Sequence, residues 1–294
     1  MSFDSGASLS SLFTAIRIGQ NAVRFDPPHI GGSTKARRLF GGQTAMQVAQ
    51  TVKLFNSGCV IHTIKVNFIA SGDTTLPLKL FIESFPDSNF ALLSVFQKEL
   101  QIASAKVRFG RSDDLLDSTV YLTPRVNAPL SYQPLKEALK TTEERHPWKF
   151  LKLLLKNDFF ELRPVDIRHI TFEPMDRKPL QVWCRVGESY KVNDFISKAD
   201  GVAAVLMLSD FLVAVAAHIN LLEYKRERDF GIGASLNHMV TFHEIRDIDA
   251  TEWFLYNSNC EIHSAQRYMI DAQIFDTHGR CILSSMQEGY MSGS

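Results

Sequence analysis

The chain of 294 residues contains two segments that resemble each other at a constant spacing. The first segment has Val66-Asn67-Phe68, Asp73, Leu80-Phe81 and Ser84, and the second has Val240-Thr241-Phe242, Asp247, Phe254-Leu255 and Ser258. Each residue lies 174 positions from its counterpart, as Val66 does from Val240. A strand–turn–strand pattern that recurs without a gap indicates two copies of one domain. We therefore expect a functional site that draws residues from both halves.

Composition sets limits on the partners. Hydrophobic residues make up 45% and charged residues 22%, as is common in folded proteins of this size. Basic and acidic residues number 32 each, so no net field attracts nucleic acid or an anionic membrane. The four cysteines lack metal-ligand spacing, which favours a reducing compartment and no metal. We expect no cofactor, no nucleic-acid partner and no membrane span.

Hydrophobic spacing divides the chain into four parts. Residues 1–39 are predicted to be a loosely packed lead-in with one short helix or strand. Residues 40–112 are predicted to be a first domain, 113–161 a linker region and 162–294 a second domain. In the first domain a helix over Gly41–Phe55 is followed by strand-like runs, which are 60–69, 78–85, 91–99 and 102–109. In the second domain an Ala-rich helix over 196–219 precedes four further runs, which are 235–243, 252–259, 265–275 and 280–290.

A long buried helix wrapped by a curved antiparallel sheet is the hotdog arrangement. The order of helix and strands is the same in both halves. We therefore predict an α+β protein with a double hotdog fold, in which two long helices are each wrapped by a curved antiparallel β-sheet. The second helix carries one carboxylate, Asp210, within an almost entirely apolar stretch from Val202 to Ile219. Such a stretch is expected to be buried rather than to span a membrane.

An ordered series of short motifs runs from about Phe40 to the C-terminus. These motifs are Leu39-Phe40-Gly41-Gly42-Gln43, Phe68 with Gly72-Asp73, Arg163-Pro164-Val165, Val182-Trp183 with Arg185, Ser209-Asp210, Ala234-Ser235-Leu236-Asn237-His238 with Phe242-His243, Trp253 with Leu255-Tyr256, and Gln287-Glu288-Gly289. Together they resemble the acyl-CoA thioesterase II family, whose members are double-hotdog hydrolases.

The resemblance implies hydrolysis of a fatty acyl-CoA to the free acid and coenzyme A. By that resemblance the catalytic residues are Asp210, Ser235 and Gln287, and we expect a medium- to long-chain acyl-CoA substrate. Asp210 would activate a water for direct attack on the thioester, while Ser235 and Gln287 would hold that water. We place the substrate against Gly41, Gly42, Gln43 and His238. The oxyanion is expected at backbone N–H groups, such as those that open the helix after Gly41-Gly42.

Structural roles remain open for the same residues. Asp210 could be a paired structural carboxylate, Ser235 an ordinary strand serine and Gln287 a solvent-facing side chain. His238 and His243 lie five residues apart in a strand, so they face opposite sides and do not form a metal pair. Two other functions stay open: a catalytically weakened acyl-CoA-binding homologue, and a hotdog hydratase, which would need a histidine beside Asp210.

The sequence departs from the family pattern at four positions: Ala70, Asn237, Thr241 and Tyr268. These changes favour an altered acyl channel or weaker activity. Subtracting 174 from the three catalytic positions gives Ala36, Ile61 and Asp113, so we expect one site carried by the second half. The resemblance implies a peroxisomal matrix location, although the C-terminus lacks a Ser-Lys-Leu signal, and a cytoplasmic location is the alternative. Homo-oligomerisation is left open.

Overall fold

A computed structural model describes residues 10–31, 37–85, 88–111, 122–141, 159–171, 179–187, 201–221, 233–244 and 248–291. In these ranges, twelve strands form one antiparallel sheet: β1 Ile16–Arg17, β2 Ala22–Phe25, β3 Val60–Phe68, β4 Leu78–Ser84, β5 Phe90–Gln97, β6 Leu100–Gly110, β7 Phe160–Pro164, β8 Leu180–Val186, β9 Gly233–Phe242, β10 Phe254–Ser264, β11 Arg267–Asp276 and β12 Cys281–Met291. The helices are α1 Ser10–Phe13, α2 Gly41–Phe55, α3 Leu135–Ala138, α4 Arg168–Thr171, α5 Gly201–Phe211 and α6 Val213–Leu221.

One face of the sheet is buried because apolar residues alternate along its strands. In β4, Leu78 and Leu80 are buried, whereas Lys79 and Phe81, which alternate with them, are exposed. Period-two alternation places the first pair on one face and the second pair on the other. The inner face packs against α2, α5 and α6, which supply much of the apolar core.

The strand order reads the same from either edge of the sheet. It runs β1-β2-β4-β5-β6-β3 in the first half and continues β9-β12-β11-β10-β8-β7 in the second. The halves meet where β3 pairs with β9, with Ile64 opposite Val240. The sequence repeat lies on equivalent strands, because its first segment covers β3 and β4 and its second covers β9 and β10. Its residue Asp247 lies outside the described residues.

A β-bulge occurs at the same place in both halves. The register skips His62 in the pairing of β3 with β6, and it skips Leu236 in the pairing of β9 with β12. These two residues are again 174 positions apart. The partner strands β6 and β12 do not keep this spacing of 174 positions. Val107 lies opposite Ile64, and Gln287 lies opposite His238, the counterpart of Ile64. The counterpart of Gln287 is therefore Val107, and the expectation that it is Asp113 is wrong.

Two expectations about packing also need correction. The lead-in is not loose where the structure describes it, since β2 joins the sheet edge and places Val23 and Phe25 in the core with no exposed surface. The second helix is not continuous, because α5 ends at Phe211 and α6 begins at Val213. Its predicted start at residue 196 lies outside the described residues. Most of the predicted linker, 113–161, also lies outside them.

The junction between β3 and β9 offers a direct test of this packing. Ile64 has no exposed surface, so Ile64→Ala should lower the free energy of unfolding by about 2–5 kcal/mol through lost burial and a residual cavity. Leu100→Ala is the control, because 55% of Leu100 is exposed and its truncation should change that energy by less than about 0.5 kcal/mol. Chemical denaturation measures both, and equal effects would contradict the described junction.

Candidate active site

Asp210 lies near the end of α5 and is almost fully buried. Its Oδ2 accepts a hydrogen bond of 2.7 Å from the backbone N–H of Gly42, and its Oδ1 accepts one of 2.7 Å from Gln287 Nε2. Gly42 is in the first turn of α2, where backbone N–H groups lack acceptors within the helix. The carboxylate of one half thus binds the helix N-terminus of the other, where the helix dipole favours negative charge.

Two glycines allow this approach. A Cβ atom at position 41 would lie 2.7 Å from Asp210 Oδ2, and one at position 42 would lie 2.8 Å from the carbonyl oxygen of Met207. Both distances are shorter than a carbon atom tolerates. Gly41-Gly42 is therefore needed so that the start of α2 can contact α5 and its carboxylate.

The bulge in β9 turns Ser235 toward the interior. His238, Val240 and Phe242 all face the inner side of the sheet and are buried. Strict alternation from these residues would place residue 236 inside and residue 235 outside. Because Leu236 is the extra residue of the bulge, the alternation shifts by one and Ser235 faces inward opposite Gly289.

Gln287 connects the two oxygen-bearing side chains. It lies in β12 with 1% of its surface exposed, so it does not point to solvent. Its Nε2 donates one hydrogen bond of 2.7 Å to Asp210 and another of 2.6 Å to Ser235 Oγ. Ser235 accepts this bond, and its own hydroxyl hydrogen stays available to donate. The structure thus brings together the three residues that the sequence predicted, although Ser235 contacts Gln287 rather than Asp210.

The environment of Asp210 raises its pKa to about 6. Burial is the largest cause because it disfavours the charged carboxylate. The hydrogen bonds from Gln287 and Gly42 act in the opposite direction and partly restore ionisation. At neutral pH the carboxylate is ionised, yet it is a stronger base than an exposed aspartate.

His238 does not contact the cavity, contrary to the predicted contact with substrate. It has no exposed surface, and its Nε2 lies 2.8 Å from Ser209 Oγ. Ser209 also donates its hydroxyl hydrogen to the carbonyl oxygen of Leu206 at 2.8 Å, so both groups lie in the protein interior. Burial lowers the pKa of His238 to about 4, and neighbouring Gln287 offsets this only in part. The ring is neutral and lies behind Gln287, its partner across the sheet.

Gln43 and Gly42 were also expected to contact substrate, but neither of them lines the cavity. Gln43 is fully buried, its Oε1 accepts from the backbone N–H of Ile30 at 2.6 Å, and its Nε2 lies 2.8 Å from His29 Nδ1. These bonds hold the lead-in against α2. The N–H of Gly42 is already bonded to Asp210, so it is not a free oxyanion donor. Of the four predicted substrate contacts, only Gly41 lines the cavity.

A cavity of about 290 Å³ opens beside Asp210 and Ser235. Apolar side chains from both halves form most of its wall, including Leu39, Phe40, Phe68 and Ile102 from the first half and Phe211 and Val213 from the second. Arg38 also lines it, and its guanidinium donates to Ser71 Oγ and to the carbonyl oxygen of Gly233, both at 2.9 Å. A mostly apolar cavity with a few polar groups is typical of small-molecule sites.

The four departures from the family pattern lie in two different places. Ala70 and Tyr268 line the cavity. Asn237 and Thr241 alternate with the buried residues of β9 and face the other side of the sheet. Asn237 donates a hydrogen bond of 2.8 Å to Glu288 there, so an aspartate at 237 would place two carboxylates together. The change at 237 therefore does not alter the polar site directly.

Among the residues that the structure describes, no group of three or more His, Cys, Asp or Glu side chains could hold a metal ion. His243 follows the end of β9, and its Nε2 lies 2.9 Å from Ser284 Oγ. His238 has a different partner, Ser209. No helix in the described part of the chain is long and apolar enough to cross a membrane.

An antiparallel sheet against buried helices, with a polar site at the contact between them, defines a protein of the hotdog class. Residues 136–291 match the model of a family described as the acyl-CoA thioesterase C-terminal domain, which is more than half of the chain. The chain belongs to this family.

Solved structures share the fold over nearly the whole chain. The TesB protein of Mycobacterium avium subspecies paratuberculosis is 17% identical, with 98% of this chain and 99% of that chain covered and a TM-score of 0.72. The acyl-CoA thioesterase II TesB2 of Mycobacterium marinum is 18% identical, with 97% and 98% covered and a TM-score of 0.69. A protein of unknown function with a hot dog fold from Alicyclobacillus acidocaldarius is 15% identical, with 97% and 98% covered and a TM-score of 0.73.

The raised pKa of Asp210 makes a prediction about stability. The folded-state pKa of about 6 exceeds the ordinary value of 3.8, so ionisation above pH 4 favours the unfolded chain. Relative to Asp210→Asn, the wild-type protein should lose up to about 3 kcal/mol as the pH rises from 4 through 6, with no further change above about pH 7. Denaturation of both proteins across this pH range measures the difference.

Glu83→Gln serves as the control for this measurement. Glu83 is an exposed carboxylate in β4, and its change to an amide should alter the free energy of unfolding by less than about 0.5 kcal/mol. A constant difference between wild type and Asp210→Asn from pH 4 to pH 7 would contradict the described burial of Asp210.

Proposed function

We propose that the protein is an acyl-CoA thioesterase that hydrolyses medium- to long-chain fatty acyl-CoA by direct attack of water. The observation that carries the proposal is the buried Asp210 carboxylate, bonded to Gln287 and Gly42 and lying with Ser235 on the wall of a largely apolar cavity. Membership of the thioesterase family supports thioester hydrolysis, and the apolar wall supports an acyl chain.

The carboxylate is suited to activate water. Each of its oxygens accepts one protein hydrogen bond, which leaves acceptor capacity for a hydrogen of a water molecule. A pKa near 6 keeps roughly nine-tenths of the group ionised at pH 7 while making it about 100-fold more basic than an ordinary aspartate. Ser235 presents a hydroxyl hydrogen next to it. Together, a base and a donor can hold one water in a fixed orientation.

The proposed reaction conserves its atoms without a covalent enzyme intermediate. The water oxygen bonds to the thioester carbon while Asp210 accepts a water proton, and the carbonyl oxygen gains negative charge. The carbon–sulfur bond then breaks and its electron pair leaves with sulfur. The proton from Asp210 goes to the thiolate, giving the fatty acid and coenzyme A. Gln287 stays bonded to both Asp210 and Ser235 and keeps the two groups in place.

Arg38 provides a cation on the wall of the cavity. Its guanidinium is anchored by Ser71 and by the carbonyl oxygen of Gly233, so the charge is held in one position. We propose that a phosphate of coenzyme A lies against Arg38 while the acyl chain enters the apolar part of the cavity. The proposed partner is thus an acyl-CoA. A peroxisomal or cytoplasmic location stays a prediction.

We also propose that the fold is a double hotdog built from two copies of one unit. The strand order is symmetric about the β3–β9 junction, and both halves carry a bulge 174 residues apart, at His62 and Leu236. We propose domains at 40–112 and 162–294, with 1–39 as a lead-in that extends the first half of the sheet. Helix α2 belongs to the first unit, and α5 with α6 to the second.

A second candidate function is a catalytically weakened acyl-CoA-binding homologue. The observation that favours it is the placement of Ala70 and Tyr268, two departures from the family pattern, on the cavity wall. A hotdog hydratase is less consistent with the site, because the described partners of Asp210 are an amide and a backbone N–H rather than a histidine.

Replacement of Asp210 tests the catalytic proposal. Asp210→Asn should lower kcat by about 10²- to 10⁴-fold because the amide cannot accept the water proton. Glu83→Gln makes the same chemical change on the exposed face and should keep wild-type turnover. Thiol release over a panel of acyl-CoA chain lengths measures both, and circular dichroism confirms folding. Full turnover by Asp210→Asn would exclude this mechanism, and a wild-type protein that binds acyl-CoA but releases no thiol would favour the binding homologue.

The pH dependence gives an independent test. Activity should rise with pH through about 6, since the base must be ionised and its pKa is about 6. The bond from Gln287 lowers the pKa of Asp210, so Gln287→Met should move the midpoint of the residual activity to higher pH. The profile of kcat/KM between pH 4.5 and 8.5 gives both midpoints. A midpoint that stays unchanged in Gln287→Met would show that Asp210 is not the titrating base.

A further inference from the structure

The mechanism requires a hydrogen-bond donor for the charge that develops on the thioester oxygen. The first turn of α2 was the expected source, but the N–H of Gly42 is bonded to Asp210 and Gln43 is buried away from the cavity, which leaves only Gly41 of these residues on its wall. Gln287 uses both hydrogens of its amide on Asp210 and Ser235. A donor that lines the cavity and has no other acceptor would meet the requirement.

Tyr268 places a phenol in this cavity. It lies in β11 directly opposite Gly289 of β12, and Gly289 in turn lies opposite Ser235 of β9. The three residues form one row across the inner face of the sheet. The Tyr268 ring covers Gly289 so closely that a Cβ atom there would overlap it. The missing side chain of Gly289 is therefore what lets the ring extend from β11 toward Ser235.

The hydroxyl of Tyr268 reaches the strand that carries Ser235. It lies 4.0 Å from the place where a Cβ atom of Gly233 would be. Gly233 and Ser235 are two residues apart beyond the bulge, so they share the inner face and are separated by about 7 Å. The hydroxyl and Ser235 thus border the same small volume, which Asp210 also lines.

No residue that the structure describes accepts a hydrogen bond from this hydroxyl, and Tyr268 lines the cavity although only 3% of its surface is exposed. The hydroxyl is not one of the buried side-chain atoms that lack a partner, so it opens to the cavity, where a bound molecule can accept its hydrogen bond. Burial and the charge of Asp210 raise the pKa of Tyr268, so the hydroxyl keeps its proton and is a donor. Its missing acceptor is therefore expected to come from a ligand in the cavity.

We propose that Tyr268 is a catalytic residue whose hydroxyl donates a hydrogen bond to the carbonyl oxygen of the bound thioester. This inference rests on the proposed thioesterase function. The bond strengthens as the oxygen becomes negative, and Tyr268 transfers no proton, so the balance of the hydrolysis is unchanged. The carbonyl oxygen is the acceptor that every acyl-CoA offers, whatever the length of its chain.

Tyr268→Phe removes the hydroxyl and keeps the ring over Gly289. It should lower kcat by about 10²- to 10³-fold, as expected for loss of an oxyanion donor. The matched control is Tyr290→Phe, because the Tyr290 hydroxyl bonds to Gln266 and does not line the cavity. Thiol release by the control should equal that of the wild type. Equal kcat for Tyr268→Phe and wild type would overturn the role of Tyr268.

Two unreactive analogues test the contact without catalysis. A ketone analogue, with a methylene group in place of sulfur, keeps the carbonyl, whereas a thioether analogue lacks it. Tyr268→Phe should bind the ketone about 2- to 10-fold more weakly than wild type and the thioether equally well, as isothermal titration calorimetry can measure. Equal affinities for the ketone would overturn only the role of Tyr268. Failure of wild type to bind either analogue would overturn the thioesterase assignment and this inference with it.

Discussion

The hydrogen bond between the Gly42 N–H and Asp210 joins residues that are 168 positions apart and belong to different halves of the chain. It satisfies a backbone donor at the start of α2 and places a carboxylate where the helix dipole favours its charge. The contact exists only because Gly41-Gly42 has no side chains to separate α2 from α5. The position of the Asp210 carboxylate therefore depends on the packing of both halves, and neither half could form this contact alone.

The sequence was sufficient to predict that Asp210, Ser235 and Gln287 lie together, but not how they are oriented. A carboxylate in an apolar helix is unusual in any chain, and the ordered motifs identified Ser235 and Gln287 by resemblance. The inward direction of Ser235 depends on the bulge at Leu236, which no alternation of polar and apolar residues reveals. His238 and Gln43 are predicted to contact substrate because they belong to these motifs. Both instead bond to protein groups in the interior, a choice that only tertiary packing determines.

The sequence likewise predicted the main strands of the fold but not all of its packing. The repeat gave the strands that form the junction of the halves, because β3 and β9 are long and strongly alternating. The lead-in was predicted to contain one short helix or strand, but the position and the packing of β2 were not predicted, because four residues give too little alternation to recognise; its Val23 and Phe25 are fully buried. The fixed offset also misplaced the counterpart of Gln287. The strands after the junction need not keep the same spacing, and the pairing of β6 with β3 identifies Val107 instead.

The asymmetry of the two halves has a physical reason. The inner positions that hold Ser235, His238, Gln287 and Gly289 in the second half correspond to Ile61, Ile64, Val107 and Phe109 in the first. A buried polar row is costly unless its groups are paired, so one such row beside one cavity costs less than two. The first half keeps the apolar set and contributes core. Where Phe109 fills space in the first half, Gly289 leaves it open in the second. Tyr268 fills that space from the next strand and brings a hydroxyl into the cavity.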